Sequence, residues 1–390
     1  MSDRSTVGEL QPPDRLLMGP GPSNVHPRVL RAMSASVVGH LDPYFLEVMD
    51  DVQELLRYVF QTDNEWTIPV SGTGSAAMEA CFTNLVEPGD TVLVPTNGYF
   101  GERMESMARR VGGDTRLVEA DWGKPLDVEV VKEAFEEHDP DVFGVVHAET
   151  STGVLQPHVD ELVDIAHDND AYVVLDTVTS LAGVEVDIDG WGVDAAYSAD
   201  QKCLSCPPGA SPLTLSPRAM DKINSRDTEP KSWYLDLSLL DEYWGSDRSY
   251  HHTAPISNVY ALREALRIVE EEGLEERWRR HREVAGALKT GVEAMGLEMN
   301  AEDEYWLPPL NAVRIPEEVD AAAVLENMME EYGIEISSGL GDLEGKILRI
   351  GCMGHSAQIE NVLYVVGALG KTLEGMDVDV NVEKAMKALS

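Results

Sequence analysis

Three parts of the chain carry residues whose types and positions could act together on a small molecule. The first is the turn Ser71–Ser75 (SGTGS), which lies between a short apolar run and an amphipathic segment. At the N-terminus of a helix, the amides and hydroxyls of such a turn bind an anion. The second is Asp176, which ends another apolar run, and the third is Lys202. Together they offer an anion cradle, a carboxylate and an amine.

Lys202 is notable because this chain avoids lysine. Only ten of its 30 basic residues are lysines, and Lys202 lies in a segment rich in Ser, Cys, Pro and Gly rather than on an amphipathic helix. A partly desolvated lysine reacts with carbonyl compounds. A carboxylate at the carboxyl end of a parallel strand, such as Asp176, can pair with a protonated ring nitrogen. With the anion cradle, these groups predict a site for pyridoxal 5'-phosphate.

The same turn also fits a dinucleotide fingerprint, because residues 72–77 match G-x-G-x-x-A. In that fold an acidic residue at the end of the next strand binds the ribose. Here the next apolar run, 91–95, is followed by Thr96 and Asn97. The pattern therefore disfavours a nicotinamide-dependent dehydrogenase.

Composition excludes several classes of partner. Seventy acidic residues against 30 basic ones give a formal net charge of −40. Such a surface repels phosphate backbones and anionic lipid, so we expect neither nucleic acid nor a membrane as a partner. High acid content with few lysines is typical of salt-accumulating halophiles, where molar salt screens self-repulsion.

Cysteine usage predicts a cytoplasmic protein without a metal site. Four cysteines in 390 residues do not form a disulfide framework. Cys203 and Cys206 resemble half of a redox or zinc site, but no second CxxC pair or spaced His pair completes it. No secretory signal is recognisable near the start, and no apolar run has the length of a membrane span.

Alternating strand and helix signals surround the candidate residues. Apolar spacing predicts helices near 44–60, 76–85, 101–111, 128–137 and 158–169, and apolar runs predict strands at 66–70, 91–95, 116–119, 142–148 and 171–176. Strands that are apolar on both faces favour a parallel sheet sandwiched by helices, which is an α/β fold. The pattern changes near residue 256. We predict an arm at 1–15, a large cofactor domain at 16–272 and a smaller α+β domain at 273–390.

The chain resembles the class V aminotransferases of fold type I, in particular the alanine–glyoxylate and serine–pyruvate group. The matching segments are GPGPSNVHPRVL (19–30), YVFQT (58–62), SGTGSAAMEA (71–80), NGYFGER (97–103), HAETSTGVLQP (147–157), DTVTSLAGVEVDIDGWGVD (176–194), QKCLSCPPG (201–209), YHHTAP (250–255) and LRIGCMG (348–354). They follow one another through nearly the whole chain.

The resemblance implies a transaminase that uses pyridoxal phosphate. It would move the amino group of alanine or serine to glyoxylate or pyruvate by a ping-pong mechanism. Serine–glyoxylate and ureidoglycine–glyoxylate transfer remain open. The lyase chemistry of the related cysteine desulfurases also remains open, although those enzymes place a His before the cofactor lysine and another over the ring, where this chain has Gln201 and Phe100.

The resemblance also implies roles for single residues. Lys202 would bond to the cofactor aldehyde and move a proton, and Asp176 would pair with the ring nitrogen. The other implied roles are ring stacking by Phe100, where the group often has Trp, phosphate binding by Thr73, Gly74, Ser75 and Gln201, contact of Ser151 with the phenolic oxygen, binding of the substrate carboxylate by Arg349, and lining of the substrate pocket by Gly21. Tyr250 and Thr253 would reach the phosphate of a partner subunit, which implies a homodimer with shared active sites.

One residue departs from the pattern of the family. Asp200 stands where the family usually has a small residue, close to the expected phosphate site. The acid would either point outward as part of the acidic surface or perturb phosphate binding.

Overall fold

The structure is a computed structural model that describes residues 8–389. Its strands are β1 (Leu16–Leu17), β2 (Trp66–Ser71), β3 (Thr91–Thr96), β4 (Asp114–Glu119), β5 (Val142–Val146), β6 (Ala148–Glu149), β7 (Val154–Leu155), β8 (Tyr172–Asp176), β9 (Ala195–Tyr197), β10 (Ala210–Leu215), β11 (Glu298–Met299), β12 (Leu310–Arg314), β13 (Ile334–Glu335), β14 (Ser337–Ser338) and β15 (Ile347–Gly351). Its α-helices are α1 (Pro27–Met33), α2 (Pro43–Phe60), α3 (Gly74–Leu85), α4 (Tyr99–Val111), α5 (Val128–His138), α6 (Val159–Asp168), α7 (Ile188–Trp191), α8 (Pro217–Asn224), α9 (Leu237–Trp244), α10 (Ile256–Glu272), α11 (Leu274–Met295), α12 (Ala321–Tyr332), α13 (Ile359–Gly375) and α14 (Val382–Ala388).

A seven-stranded sheet forms the centre of the fold, in the order β2-β10-β9-β8-β5-β3-β4. All neighbours are parallel except β10, which runs antiparallel to both β2 and β9. Strands β5 and β8 are buried along almost their whole length, as expected of parallel strands covered by helices. Helices α3 and α4 pack side by side on this sheet, and α5 and α6 form a second packed pair. The predicted α/β architecture is confirmed.

The carboxyl ends of β2, β3, β5, β8 and β9 lie at one edge of the sheet, because these five strands point the same way. The loops after them therefore meet there, as in other open α/β sheets. Strand β10 runs in the opposite direction and begins at this edge. The edge collects the turn after Ser71, the start of α4, the β6–β7 hairpin and the segment that carries Lys202.

A second sheet, β11-β12-β15-β14, is antiparallel throughout and has its own apolar core. Helices α11, α12 and α13 contribute to this core through residues such as Leu288, Val324 and Leu369. Near the start of the described chain, β1 pairs with β13 and Met18 joins the same core. Leu274, at the start of α11, packs instead with the larger core around the seven-stranded sheet. The domain boundary at 272/273 stays a prediction.

The observed elements differ from the predicted ones at several places, and β9 and β10 of the central sheet lie where no strand is predicted. The strand predicted at 142–148 is divided into β5 and β6, and α3 begins at Gly74 rather than at residue 76. Residues 8–15 of the predicted arm contain no helix or strand, and residues 1–7 lie outside the described range. Among residues 8–389, no helix has the length and apolar character needed to cross a bilayer.

Asp194 connects the amino ends of β8 and β9. It directly precedes β9 and is 1% exposed. Its Oδ2 accepts hydrogen bonds from the backbone N–H of Val173 in β8 (2.9 Å) and from the guanidinium of Arg218 (2.7 Å), and it lies 3.0 Å from the ring of His167. The carboxylate thus fixes the two strands whose opposite ends carry Asp176 and lead to Lys202.

We expect Asp194→Ala to lower the free energy of unfolding by about 3 kcal/mol, because it leaves the buried N–H of Val173 without an acceptor and removes the carboxylate that pairs with Arg218. Urea unfolding in molar salt measures the change. Asp168→Ala is the matched control, since this exposed acid in the last turn of α6 should change stability by less than about 0.5 kcal/mol. Equal stability of the two variants would contradict the role of Asp194.

Candidate active site

A cavity of about 170 Å³ lies at the carboxyl edge of the large sheet. Seven of the predicted site residues line it: Thr73, Gly74, Ser75, Phe100, Asp176, Gln201 and Lys202. Four further lining residues were not predicted: Met78, Arg103, Val178 and Ala199. Residues separated by more than 100 positions in the chain therefore meet in one small space.

Lys202 lies in the turn between β9 and β10 and is buried. Its Nζ donates to the carbonyl oxygen of Pro20, and its own carbonyl accepts from Ser23 Oγ at 2.7 Å. Burial and, second to it, the positive charge of Arg349 lower the pKa of the amine to about 8, whereas the charge of Asp176 opposes the shift. A substantial neutral fraction at mildly alkaline pH makes the amine a competent nucleophile and base.

Gly21 lies directly against the side chain of Lys202. Its φ is +111°, and a Cβ at this position would lie 2.7 Å from Lys202 Cδ and 3.1 Å from Nζ. A side chain here would displace the amine, so the position requires glycine on grounds of both space and backbone conformation. This contact places the predicted substrate-pocket residue beside the reactive group.

Asp176 ends β8 with its carboxylate buried. Its Oδ2 accepts from the hydroxyl of Tyr197 at 2.6 Å, and its Oδ1 accepts from the backbone N–H of Val178 at 2.8 Å. Burial raises the pKa of the acid to about 6, while the two hydrogen bonds and the charges of Lys202 and Arg103 oppose that shift. The group is therefore mostly ionised above pH 7, and each oxygen retains a free lone pair.

The N-terminus of α3 forms one side of the cavity. Thr73 is the N-cap residue, but its side chain makes no capping hydrogen bond in the described chain. The first amides of the helix thus face the cavity without an internal partner, as an anion site requires. Gly74 permits close approach, because a Cβ there would lie 2.8 Å from Ala199 Cβ. Buried Gln201 Oε1 also has no hydrogen-bond partner among residues 8–389.

Phe100 and Ser151 are held in one local network at the start of α4. Ser151 Oγ accepts from the backbone N–H of Tyr99 (3.0 Å) and donates to Glu149 (2.6 Å). The guanidinium of Arg103, one helical turn after Phe100, lies 4.8 Å from the centre of the Phe100 ring, which is within cation–π range. The sequence signal for Arg103 is its i, i+3 spacing from Phe100 on a helix that begins at the cavity.

Arg349 lies in the middle of β15, in the second sheet. Its Nε donates to the carbonyl of Ser338 at 2.7 Å, and Nη1 approaches that of Thr150 at 3.5 Å. Burial lowers the pKa of the guanidinium to about 10, and Glu149 opposes the shift, so the side chain stays cationic at neutral pH. Within the described chain, Nη2 makes no hydrogen bond and remains free for a ligand.

Five predicted residues do not line the cavity: Gly21, Ser151 and Arg349 lie beside it, and Tyr250 and Thr253 lie away from it. Tyr250 is 61% exposed, with its ring 5.1 Å from that of His40, and Thr253 is also exposed. In a single subunit neither is brought to the other site residues.

Asp200 is buried, so the expectation that it could point outward is wrong. Its Oδ2 accepts from the backbone N–H of Ala210 at 2.8 Å, at the start of β10. Burial raises the pKa of this acid to about 7, against the opposing hydrogen bonds from the backbone. The family's small residue is thus replaced by an acid that ties the lysine turn to a neighbouring strand.

The cavity offers pyridoxal phosphate four fitting groups. The free helix N-terminus suits the phosphate, the unpaired amide of Gln201 offers a further polar contact, and Asp176 and Lys202 suit the ring nitrogen and the aldehyde. The chain is a pyridoxal-phosphate-dependent enzyme of fold type I. Within this class it belongs to the class-V aminotransferase family, whose sequence model matches residues 16–351.

Comparison with individual proteins agrees with this assignment. The chain is 41% identical over 375 residues to an alanine–glyoxylate aminotransferase of Drosophila melanogaster, covering 95% of each chain. A crystal structure of an alanine–glyoxylate aminotransferase from Nostoc sp. superposes with a TM-score of 0.93 at 50% identity, covering 95% of this chain and 98% of that one. The ureidoglycine–glyoxylate aminotransferase of Bacillus subtilis gives a TM-score of 0.96 at 41% identity, covering 98% of both.

Tyr197 is a site residue that sequence reasoning did not find. Removing its hydroxyl tests whether it keeps Asp176 ionised. Because its hydroxyl lowers the pKa of Asp176, Tyr197→Phe should raise that pKa and leave the carboxylate less ionised near neutrality. We expect the dissociation constant of pyridoxal phosphate to rise about 10-fold at pH 6.5 and less at pH 8.5. Spectral titration of the apoprotein at both pH values measures this.

Tyr172→Phe is the control, since Tyr172 lies at the opposite end of the same strand. Its cofactor affinity should match the unaltered protein at both pH values. A Tyr197→Phe defect of the same size at pH 6.5 and 8.5 would show that the hydroxyl does not act through ionisation of Asp176.

Proposed function

We propose that the enzyme transfers the amino group of alanine or serine to glyoxylate or pyruvate. The observation that carries the proposal is Arg349, a buried cation with a free nitrogen in electrostatic contact with Lys202. One guanidinium suits the single carboxylate of a small amino acid or oxo acid. The names of the fly and Nostoc relatives support alanine as the donor and glyoxylate as the acceptor. The similarity to the Bacillus enzyme makes ureidoglycine a second candidate donor.

The residues of the chain divide the work of the reaction. When bound, pyridoxal phosphate supplies an aldehyde that receives the amino group and a ring that accepts electrons. Asp176 keeps the proton on the ring nitrogen, and the helix N-terminus at Thr73–Ser75 holds the phosphate. Arg349 orients the substrate through its carboxylate. Lys202 takes the proton from the substrate Cα and returns it on the cofactor side.

The two substrates use the same groups in turn. The oxo acid formed from the donor leaves before the acceptor enters, because both depend on the carboxylate site at Arg349. This order gives ping-pong kinetics. Neutral Lys202 is required for the proton transfer, and its lowered pKa supplies this form without strongly alkaline conditions.

We also propose that two copies of the chain form a dimer with shared sites. Exposed apolar side chains extend over two segments that touch each other through the rings of His40 and Tyr250. These side chains are Val37, Leu41, Tyr44, Trp233, Tyr234 and Tyr250. On a chain of net charge −40, an apolar patch of this kind favours contact with another protein surface. A second copy would bring Tyr250 and Thr253 towards the phosphate of its neighbour.

The proposed setting is a salt-rich cytoplasm. All four cysteines are free and buried, which suits a reducing compartment. The acid excess supports the halophile hypothesis, and experiments should therefore use molar potassium chloride.

The donor specificity can be read from the bound cofactor. We expect alanine and serine to discharge the yellow absorption of the holoenzyme, and glutamate to leave it unchanged, because the other arginine of the cavity, Arg103, lies over the ring of Phe100 and is not expected to bind a side-chain carboxylate. Lys202→Ala removes both the amine that bonds to the cofactor and the base, so conversion of the bound cofactor by alanine should slow by at least roughly 10²–10⁴-fold. Lys124→Ala, which alters an exposed lysine, should behave like the unaltered enzyme. Discharge by glutamate at the rate seen with alanine would contradict the proposed donors.

Shared sites predict complementation between two defective variants. Lys202→Ala subunits keep Tyr250 and Thr253, whereas Tyr250→Ala/Thr253→Ala subunits keep Lys202. Mixing them under conditions that exchange subunits should restore about a quarter of the activity, since half of randomly paired dimers contain one intact site. If each site lies within one subunit, the mixture will show only the average of its two parents at limiting cofactor.

A further inference from the structure

Glu149 is a buried acid that the proposed reaction does not use. It ends β6 and is 1% exposed. Its Oε1 accepts from the backbone N–H of Ser151 (2.9 Å) and from Ser151 Oγ (2.6 Å), and its Oε2 accepts from the backbone N–H of Phe100 (3.0 Å). One carboxylate thus binds two residues that the family resemblance assigns to the cofactor.

The start of α4 explains why this contact is needed. The first N–H groups of an α-helix have no partners within the helix. The N-cap residue of α4 is Gly98, which has no side chain to offer them. The N–H of Tyr99 is instead bound by Ser151 Oγ and that of Phe100 by Glu149, so the cap comes from the β6–β7 hairpin. Burial raises the pKa of Glu149 to about 7 against these hydrogen bonds, and above that pH its negative charge also interacts favourably with the helix dipole.

Gly98 is part of the same arrangement. A Cβ at this position would lie against Cγ of Glu149 and 2.5 Å from Oγ of Ser151. Any other residue would push the carboxylate away from the helix. Gly98 therefore has no side chain with which to cap α4, and its lack of a Cβ leaves the space that Glu149 occupies.

The charge of Glu149 also reaches the substrate side of the site. It opposes the effect of burial on Arg349, the cation expected to bind the substrate carboxylate. The hairpin that carries Glu149 contributes the Thr150 carbonyl near Arg349 Nη1 as well. Glu149 therefore binds Phe100 and Ser151 directly and also acts electrostatically on Arg349.

We propose that Glu149 is a positioning residue that fixes Phe100 and Ser151 against the cofactor by capping α4 from the β6–β7 hairpin. The proposal rests on the roles of Phe100 and Ser151 at the cofactor, and it is independent of which amino donor the enzyme uses. Glu149 acts through its neighbours and has no bond-making role of its own.

The test uses the full-length protein and measures cofactor binding rather than turnover. Glu149→Gln keeps the size of the side chain but places an N–H₂ group against one of three donors. We expect the dissociation constant of pyridoxal phosphate to rise about 10-fold, and the visible circular dichroism of the bound cofactor to weaken, because Phe100 loses its fixed position. The unfolding midpoint of the apoprotein serves as the measure of any general damage.

Glu87→Gln is the matched control. Glu87 binds the same kinds of group, namely the backbone N–H groups of Asp227 and Thr228 and the hydroxyl of Thr228, beyond the far end of α3. Its variant should bind the cofactor as the unaltered protein does. Should Glu149→Gln fail to fold, Glu149→Asp keeps the charge but is one methylene too short to reach all its partners, and it should weaken binding by a smaller factor.

A double-mutant cycle separates positioning from a general structural role. If Glu149 acts through Phe100, adding Glu149→Gln to Phe100→Leu should weaken cofactor binding far less than it does alone. Equal effects in both backgrounds would overturn the proposal, as would unchanged affinity and dichroism in Glu149→Gln or Glu149→Asp. Donor discharge is measured separately, so a wrong substrate assignment would leave this result standing.

Discussion

The active site depends on two buried groups of opposite charge, Asp176 and Lys202, which lie together at the carboxyl edge of the large sheet. Burial disfavours the charged form of both groups, so the pKa of Asp176 rises to about 6 and that of Lys202 falls to about 8. Each charge limits the shift of the other, and Tyr197 and Val178 add two hydrogen bonds that only the ionised acid fully uses. Between the two pKa values the acid is charged while the amine begins to release its proton. Asp176 can therefore stay charged, as a partner of the ring nitrogen must, while Lys202 in the same cavity can release and accept a proton.

The hydrogen bond that stabilises ionised Asp176 comes from a neighbouring strand, so it depends on the register of the sheet and not on the residues next to Asp176 in the chain. Asp176 is paired with Tyr197 across the parallel strands β8 and β9, so the hydroxyl reaches the acid at the end of both strands. The antiparallel strand β10 then returns at the same edge, and Ala210 at its start binds Asp200. With its pKa near 7, this buried acid is partly neutral at physiological pH, which would limit its repulsion of a phosphate bound at the start of α3. The unusual acid thus serves to fix the lysine turn.

Sequence reasoning reached those features whose signal is local. Helices such as α2 follow from apolar spacing, and Lys202 follows from its rarity and its setting. Strand β10 was missed because Ser211, Pro212 and Thr214 interrupt its apolar character, and its burial is imposed by β2 and β9. Arg349 was predicted only from resemblance, since nothing in its own segment marks it as a ligand. Tyr197 and Glu149 act through tertiary contacts, and a sequence without strand order gives them no visible partner.

The distribution of cations connects the active site to the acidic surface. Of the few basic residues in the chain, Lys202, Arg349 and Arg103 gather at or beside the cavity, whereas others, such as Arg279, are paired with glutamates on helix surfaces. The substrates are carboxylates, so the site attracts what the net charge of −40 repels. Salt affects the two interactions to different extents. At molar concentration it screens exposed charges from one another beyond a few Å, whereas it screens buried charges much less. Molar salt would therefore remove most of the long-range repulsion while leaving the pull of buried Arg349 on a carboxylate largely intact. On this argument the acidic surface and the cationic site are compatible because they respond differently to the same solvent.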